Sequence, residues 1–452
     1  MPDMLDVLVC PRCRGALASD DAAALVCRDC RRSYPSVDEI PVLFEDPKAT
    51  VGDWEQQVAA FVRDNADVRA KILAQMTAEP MLPRTRARLE RLHVGLETHA
   101  DRLLALLAEA GLRPSSDGRP SPAPAAVPGE GTITAYYHQI HRDWGWDTSG
   151  NVEASEMARA VAEVLADQPL GKTLVLGAGA CRLPHDLHRE HGGTLTLAID
   201  VNPLPFFVAR RVIAGEAVRL FELPLRPRHT ERVCVDRTLR RSGPGTRGFA
   251  LVFADGLAPP VRPGSFDTVL TPWFIDQIPH DIARVLPVLR DVLAPGGRWL
   301  NFGPLIYHPA HTRLVHRYCV DEVLELAECF GFQIERHSYQ RMPYMESPDG
   351  TQGRTEHVLV SLARKTDAQP RGLAQPESDE AWLNDPDLSV PRLAGLEHYR
   401  PPHPMFEAVV ALVDGRRSTA EIAAILVERN GLPPDAATMG VQACLREIHR
   451  SL

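Results

Sequence analysis

Between residues 131 and 366 short apolar runs bounded by turn residues alternate with longer stretches whose apolar positions recur at helical spacing. The runs TLVLG (173–177), TLTLAID (194–200), AVRLFEL (217–223), FALVFAD (249–255), FDTVLTPW (266–273), GRWLNFG (297–303) and EHVLVSLA (356–363) read as strands. Each is an apolar, β-branched or aromatic stretch of strand length closed by turn residues. Helices are predicted over 152–166, 181–190, 203–214, 280–293 and 320–330. Such alternation implies an α/β fold, a mainly parallel sheet with helices on both faces. Ligands of such sheets bind at the carboxyl ends of the strands, where the strand order reverses.

The flanking patterns differ. Residues 1–48 are compact and turn-rich, and 49–112 are helical in pattern, with Leu103, Leu104 and Leu107 at helical spacing before Gly111. Residues 113–130 and 367–402 are rich in Pro and polar residues and read as linkers. Residues 403–452 read as a small helical module. MFEAVVALVDG would be a helix closed by Asp414-Gly415, and STAEIAAILVERNG opens on a capping box of Ser418 and Glu421. A third helix carries Val441, Leu445 and Ile448.

Composition narrows the class. The chain has 452 residues, 44% hydrophobic and 24% charged, as expected for a globular protein of several domains. Its formal net charge of −9 argues against a nucleic-acid partner held by a general basic surface. No run of 18 apolar residues predicts a membrane span, and the N-terminus lacks the pattern of a signal peptide, so a cytoplasmic location is expected.

Four of the nine cysteines form two CxxC pairs, Cys10/Cys13 and Cys27/Cys30. Each pair aims two thiolates at one point, and two pairs complete the tetrahedral S₄ set that zinc prefers. Four cysteine ligands leave no open position, so the expected Zn²⁺ is structural, replacing the core that so small a module lacks. The other reading, two disulfides, is disfavoured in a reducing compartment.

A second constellation is LVLGAGACRL (174–183): a strand, a turn with Gly177 and Gly179, and a helix start offering unpaired N–H groups. Asp200 ends the next strand, 21 residues beyond Gly179, where a carboxylate can accept hydrogen bonds from a ribose. Asp255 ends a later strand, suited to an adenine amino group. Dinucleotide binders share these features, but Arg182 stands where their third glycine would be. With the Pro-Gly-Gly turn at 295–297, the set favours S-adenosylmethionine.

Resemblances extend these readings. LVCPRCRGAL and LVCRDCRRSYPSVDEIPVLF resemble the Trm112-like zinc ribbons, which implies a scaffold that accompanies methyltransferases. HRDWGWDTSGNVEASEM, VLGAGACRL, FIDQIPHDI and NFGPLIYH resemble four separated segments of the carnosine N-methyltransferase (N2227-like) family, in the same order. That resemblance implies a Rossmann-like class I methyltransferase over residues 131–366, acting on an imidazole nitrogen of a histidine-containing dipeptide. It implies that Asp276 and His308 contact the imidazole, that Tyr344 lines the pocket beside Tyr307, and that Arg182 sits near the methionine carboxylate. Cys181, Asp200 and Thr355 depart from the family pattern, Thr355 where an aromatic pocket residue is expected, and one residue is inserted between Asp276 and His280.

Asp276 ends the apolar run PWFID, and a carboxylate there is costly to desolvate unless something engages it. A substrate imidazole N–H is the expected partner; the other reading is a cap for the following helix. Residues 403–452 resemble the PqqD-like peptide-binding module, which implies a precursor peptide as partner. Two further readings are an RNA or protein methyltransferase with the ribbon as adaptor, and a non-catalytic binding scaffold.

Overall fold

The computed structural model describes residues 2–19, 24–115, 132–147, 149–241, 246–278, 281–307, 312–371, 381–393, 395–399, 401, 404–430 and 434–451. The chain divides into two compact units. One is Met1–Ile278, Ile282–Leu305 and Gly331–Ala368; the other is Pro279–Asp281, Ile306–Phe330 and Gln369–Leu452. The predicted 113–130 linker lies, from residue 116 onward, outside the described residues.

The first unit opens on α1 (Pro2–Val7) and short strands β1 (Leu17–Ser19), β2 (Leu25–Cys27), β3 (Ser33–Tyr34), β4 (Ser36–Val37) and β5 (Ile40–Pro41). Two long helices follow, α2 (Pro47–Ala78) and α3 (Pro83–Glu109). The helical pattern of 49–112 breaks there because Pro80 and Pro83 cannot continue a helix interior. Then come α4 (Tyr137–Trp144), α5 (Ser149–Leu165), β6 (Gly171–Leu176), α6 (Arg182–Glu190), β7 (Gly193–Asp200), α7 (Pro203–Ala214), β8 (Val218–Glu222), β9 (Val235–Leu239), β10 (Phe249–Phe253), β11 (Phe266–Pro272), α8 (Val285–Val292) and β12 (Leu293–Gly303). After α9 (Val320–Cys329) of the second unit, β13 (Phe332–Tyr344) and β14 (Arg354–Lys365) complete the sheet.

The main sheet has seven strands in the order β10-β7-β6-β11-β12-β14-β13. The first five are parallel; β14 runs antiparallel to both of its neighbours. Strands β6, β7, β10, β11 and β12 therefore all end at one edge. The order reverses between β6 and β11, where a ligand crevice is expected. The strand interiors are apolar on both faces, as helices on both sides require: Leu174, Val175, Leu197, Ile199, Val269, Leu270 and Leu300 are all buried.

Register sets a further feature. Leu359 pairs with Gly303, whereas Arg354 pairs with Tyr344. The β13–β14 hairpin thus runs five residues (359 − 354) past the end of β12, about 17 Å at strand rise. It carries Tyr344 out over the carboxyl edge.

Several elements differ from the sequence reading, among them α4 and β9, which it does not predict. The run 217–223 is not in the main sheet; β8 pairs with β9 as a separate antiparallel ribbon. Its burial alternates, with Arg219 outward, whereas a strand inside a parallel sheet is buried on both faces. Strand β13 was not predicted: as an edge strand it has a polar sequence, FQIERHSYQRMPY, with no apolar run to mark it. The helix expected from 280 begins later, as a 3₁₀ turn at Ile282–Arg284 and then α8, because Pro287 is tolerated only in a first helical turn.

In the second unit α10 (Ala381–Asn384), α11 (Pro404–Val410), α12 (Thr419–Asn430) and α13 (Pro434–Ser451) pack Trp382, Val409, Ile422, Leu426, Val441, Leu445 and Ile448 into one core. The capping box forms: Ser418 N–H donates to Glu421 Oε2 at 2.8 Å and Glu421 N–H to Ser418 Oγ at 3.2 Å. Helix α11 stops at Val410, short of Asp414, whose Oδ1 instead accepts the Arg416 and Arg417 N–H groups. No helix among the described residues is long and apolar enough to cross a membrane.

Candidate functional site

The cysteine pairs fold into two matching knuckles. Arg14 N–H donates to Cys10 O at 2.9 Å and Arg31 N–H to Cys27 O at 3.0 Å, and both arginines take a positive φ of about 60° that closes the turn. The four Sγ atoms of Cys10, Cys13, Cys27 and Cys30 lie within 4.8 Å of one another, with Cys10–Cys30 at 3.7 Å and Cys13–Cys27 at 3.5 Å. A tetrahedron with ~2.3 Å Zn–S bonds has edges of about 3.8 Å, so the cluster fits zinc. Burial raises the Cys10 thiol pKa, but hydrogen bonds from Tyr34 and the backbone of Cys13 and Arg12 outweigh it and bring it to about 6. Cys13 is lowered by the Gly15 N–H yet raised on balance, to about 12, chiefly by sharing a hydrogen with Cys27. A dication would hold all four as thiolates.

The ribbon is fastened to the edge of the sheet that starts at β10. Val42 pairs in parallel with Phe253, Leu43 N–H donates to Phe253 O at 2.8 Å, and Val9 N–H donates to Pro260 O at 2.8 Å. Arg14 donates to the carbonyls of Pro259 and Val261. Asp38, its side chain 4% exposed, pairs with Arg210 and Arg211 of α7 at 2.9 and 2.6 Å. Trp54 of α2 meets Phe253 edge-on with ring centroids 4.9 Å apart, a contact worth ~0.5–1.5 kcal/mol beyond its burial.

The glycine turn lies at the end of β6. Gly177 has φ +69°, and a Cβ added there would stand 2.6 Å from Phe274 Cδ2. Gly179 has φ +53°, and an added Cβ would meet nothing within 4 Å, so that side of the turn is open to a ligand. Asp200 ends β7; its Oδ2 accepts the Gly179 N–H at 2.8 Å and its Oδ1 the Asn202 N–H at 2.9 Å. Burial raises its pKa against those backbone hydrogen bonds. Asp255 follows β10, exposed, with Leu257 N–H on its Oδ1 at 2.8 Å. An open turn flanked by two carboxylates at neighbouring strand ends fits S-adenosylmethionine. Arg182 is engaged by the protein: Nε donates to Asp186 Oδ2 at 2.5 Å and Nη1 to Asp143 O at 2.8 Å.

Phe274 links this turn to the acceptor side. The same ring lies 3.1 Å from where a Cβ on Gly256 would stand, so it sits between the turns that carry Gly177 and Asp255. Two residues on is Asp276, 1% exposed, with Gln277 Nε2 donating to its Oδ2 at 3.1 Å. The N-cap of α8 itself is Arg284, and residues 279 and 280, between Asp276 and that helix, lie outside the described residues. Tyr307 is half-buried in the second unit, and His308 and His280 lie outside the described residues.

The segment HRDWGW is built into the cofactor turn. Trp144 Nε1–H donates to Ala180 O at 2.8 Å, and Arg182 lies over the Trp144 ring at 5.3 Å. The buried pair Arg142–Asp143 (2.7 Å) stands beside it. Glu153, its pKa raised by burial against the pull of Arg142, accepts the Glu346 N–H at 3.0 Å and so ties α5 to the β13–β14 turn. Tyr344 stacks on Trp273 with centroids 4.5 Å apart, between Arg142 at 5.6 Å and Arg354 at 4.7 Å. A cavity of about 200 Å³ opens there, lined by His138, Trp146, Glu222, Tyr344 and Arg354 among others. The indole N–H groups of Trp146 and Trp273 are buried with no acceptor among the described residues, a state that costs about 1–3 kcal/mol per donor.

The sequence reading did not find Phe274, Glu153 or Glu222. Phe274 stood inside an apolar run, and its place against Gly177 and Gly256 appears only in the fold. The two glutamates belong to segments distant in sequence and carried no signal.

The strand order, five parallel strands followed by an inserted antiparallel one, is that of the class I methyltransferases. Residues 238–359 match the family described as carnosine N-methyltransferase, and residues 2–39 match Trm112p-like protein. Carnosine N-methyltransferase of Dictyostelium discoideum is 44% identical over 53 residues, 12% of this chain and 11% of that protein. Carnosine N-methyltransferase unmet of Drosophila melanogaster is 26% identical over 122 residues, 26% of each chain. The chain thus spans about a tenth to a quarter of the length of these relatives. A UPF0434 protein of Dechloromonas aromatica is 46% identical over 44 residues, 10% of this chain and 76% of that protein. The chain belongs to the Trm112p-like family through its N-terminal module, and it carries a carnosine N-methyltransferase family domain over residues 238–359.

Among solved structures, a putative S-adenosylmethionine-dependent methyltransferase from Listeria monocytogenes is 14% identical over 48% of this chain and 100% of that one, with a TM-score of 0.33. A chain in the complex between the Haloferax volcanii Trm112 methyltransferase activator and the putative methyltransferase is 14% identical over 52% of this chain and 97% of that one, with a TM-score of 0.34. The fold assignment rests on the strand order, not on these likenesses. The family matches lie outside residues 403–452, where peptide binding stays a proposal.

Proposed function

We propose that the chain is an S-adenosylmethionine-dependent N-methyltransferase that methylates an imidazole nitrogen of a small histidine-containing acceptor. The observation that carries this reading is Asp276: a carboxylate 1% exposed, four residues (276 − 272) past the end of β11, two residues past the ring packed on the cofactor turn, inside the family-matched segment.

S-adenosylmethionine would supply a methyl group on a sulfonium, held by the turn of Gly177 and Gly179, by Asp200 and by Asp255, with Arg182 toward its carboxylate. Neutral imidazole has one N–H and one nitrogen lone pair. Asp276 accepts the N–H, which selects the tautomer and turns the free nitrogen toward the methyl carbon. Transfer of the methyl from sulfur to that nitrogen would leave positive charge on the ring, which the Asp276 carboxylate would offset in a site of low dielectric. The ring N–H proton then leaves by way of Asp276. His308 enters by the family resemblance alone, as a contact of the ring that can orient it or relay that proton, with Tyr307 as a further candidate.

In this reading residues 1–48 are a structural zinc module, 49–112 a helical brace, 131–366 the methyltransferase domain, and 403–452 a module for a precursor peptide, joined by linkers 113–130 and 367–402. The site works in the cytoplasm, where thiols stay reduced. The net charge of −9 gives no support to an RNA acceptor. The test is mass spectrometry of histidine-containing dipeptides, peptides and RNA incubated with methyl-labelled cofactor. A product heavier by one methyl on a histidine ring is expected. A methyl group found only on RNA, or on no acceptor, overturns the reading.

A further inference from the structure

Glu153 stands on the wrong face of its helix for a carboxylate. Helix α5 buries Gly150, Ala154, Met157, Ala160, Val161 and Val164, and Glu153, 2% exposed, lies among them. A carboxylate taken out of water is costly unless charge and hydrogen bonds engage it. The nearby cation Arg142 is already shared, since it binds Asp143 at 2.7 Å. What Glu153 holds is backbone: its Oε1 accepts the Glu346 N–H at 3.0 Å. Such a bond to an ionised acceptor is roughly twice as strong as a neutral one. A further link between α5 and β13, Gln340 Nε2 to Glu163 Oε2 at 2.8 Å, is exposed.

The captured N–H lies two residues past Tyr344, the last residue of β13 that pairs with β14. Between them Met345 takes φ +58°. Trp273, on which Tyr344 stacks at 4.5 Å, takes φ +52°. Non-glycine residues rarely adopt this region and persist there only where the surroundings enforce it. Two such residues thus adjoin one aromatic stack. Trp273 is pinned through its backbone: its N–H donates to Phe302 O at 2.6 Å, and its Cα lies 3.2 Å from where a Cβ on Gly303 would stand. The middle of the β13–β14 turn is tied elsewhere, Arg228 N–H to Asp349 O at 2.8 Å and Thr351 N–H to Arg226 O at 3.0 Å. The start of the turn is tied by Glu153.

We propose that Glu153 is a positioning residue for the methyl acceptor: by holding the start of the β13–β14 turn it keeps Tyr344 on Trp273, three residues before Asp276, and so keeps Asp276 in place. The proposal rests on the methyltransferase reading and adds to it a residue that acts only through others. Small displacements suffice for an effect, because a misplacement of ~1 Å at reacting groups costs on the order of 10²-fold.

The test uses the full chain with bound S-adenosylhomocysteine and reads two quantities: affinity for β-alanyl-L-histidine by calorimetry, and hydrogen exchange along the turn. In Glu153→Ala the dipeptide dissociation constant should rise about tenfold or more, while that of S-adenosylhomocysteine stays within about twofold. Residues 344–348 should exchange faster, and 349–353, held by residues 226–228, should exchange as in the wild type. Glu153→Gln keeps an oxygen for the Glu346 N–H and should bring dipeptide affinity back to within about threefold of wild type. Where the alanine variant does not fold, Glu153→Met, of similar volume and without an acceptor, carries the same expectation. Unchanged dipeptide affinity in Glu153→Ala, an equal loss for dipeptide and S-adenosylhomocysteine, no recovery in Glu153→Gln, or unchanged exchange at 344–348 overturns the proposal. Methyl transfer on the same samples separates the two claims. Dipeptide binding without transfer by the wild type overturns the methyltransferase reading alone. Where the wild type does not bind the dipeptide, the histidine acceptor falls, and the exchange at 344–348 decides the latch by itself.

Discussion

The two halves of the site are built on different scales. The cofactor half is mostly local: Gly177, Gly179 and Asp200 fall within residues 177–200, a single hydrogen bond of 2.8 Å joins turn to carboxylate, and Asp255 adds only the end of the neighbouring strand. The acceptor half is assembled from residues 138–146, 222–225, 273–276 and 344–354, brought together only by the finished sheet and its overhanging hairpin. The difference teaches where specificity resides. The local half holds a constant cofactor, and the dispersed half can vary one segment at a time without disturbing it.

One variant and one metal removal test that separation, taken from the larger effect to the smaller. Gly177→Ala should strike the cofactor half hardest. It puts a side chain at φ +69° and 2.6 Å from the Phe274 ring, so both the backbone and that ring must adjust. A strain of at least about 2 kcal/mol implies a loss of roughly thirtyfold or more in S-adenosylmethionine affinity. Calorimetry checks this, and an unchanged affinity would mean that the turn does not contact the cofactor. Removing zinc with a strong chelator should come next. The ribbon's fold depends on the metal, and the ribbon holds Phe253, Pro259 and Val261 on either side of Asp255. Cofactor affinity should fall about tenfold, with the discrimination between acceptors preserved. Measuring both constants before and after chelation decides whether the ribbon serves the cofactor half alone.

Legibility followed the same division. The glycine turn, the 21-residue step to Asp200 and the four cysteines are short-range patterns, and each stands in the sequence as a spacing. Most strands of the main sheet were visible because they are buried on both faces. Strand β13 was not, since an edge strand needs no apolar run, and β8 was misplaced because a twisted two-stranded ribbon reads locally like any other strand. Trp146 falls in the segment HRDWGWDTSGNVEASEM, but that its N–H finds no acceptor among the described residues depends on where distant segments come to lie, which no local pattern records.

The central claim is that Asp276 holds the acceptor imidazole. The most direct measurement is Asp276→Asn, comparing cofactor affinity with turnover of β-alanyl-L-histidine. The carboxylate is expected to matter only once the ring is bound and gaining charge. Turnover should therefore fall about 10²–10⁴-fold, and the S-adenosylmethionine dissociation constant should stay within about twofold. Full turnover in the variant, or a parallel collapse of cofactor binding, would contradict the account.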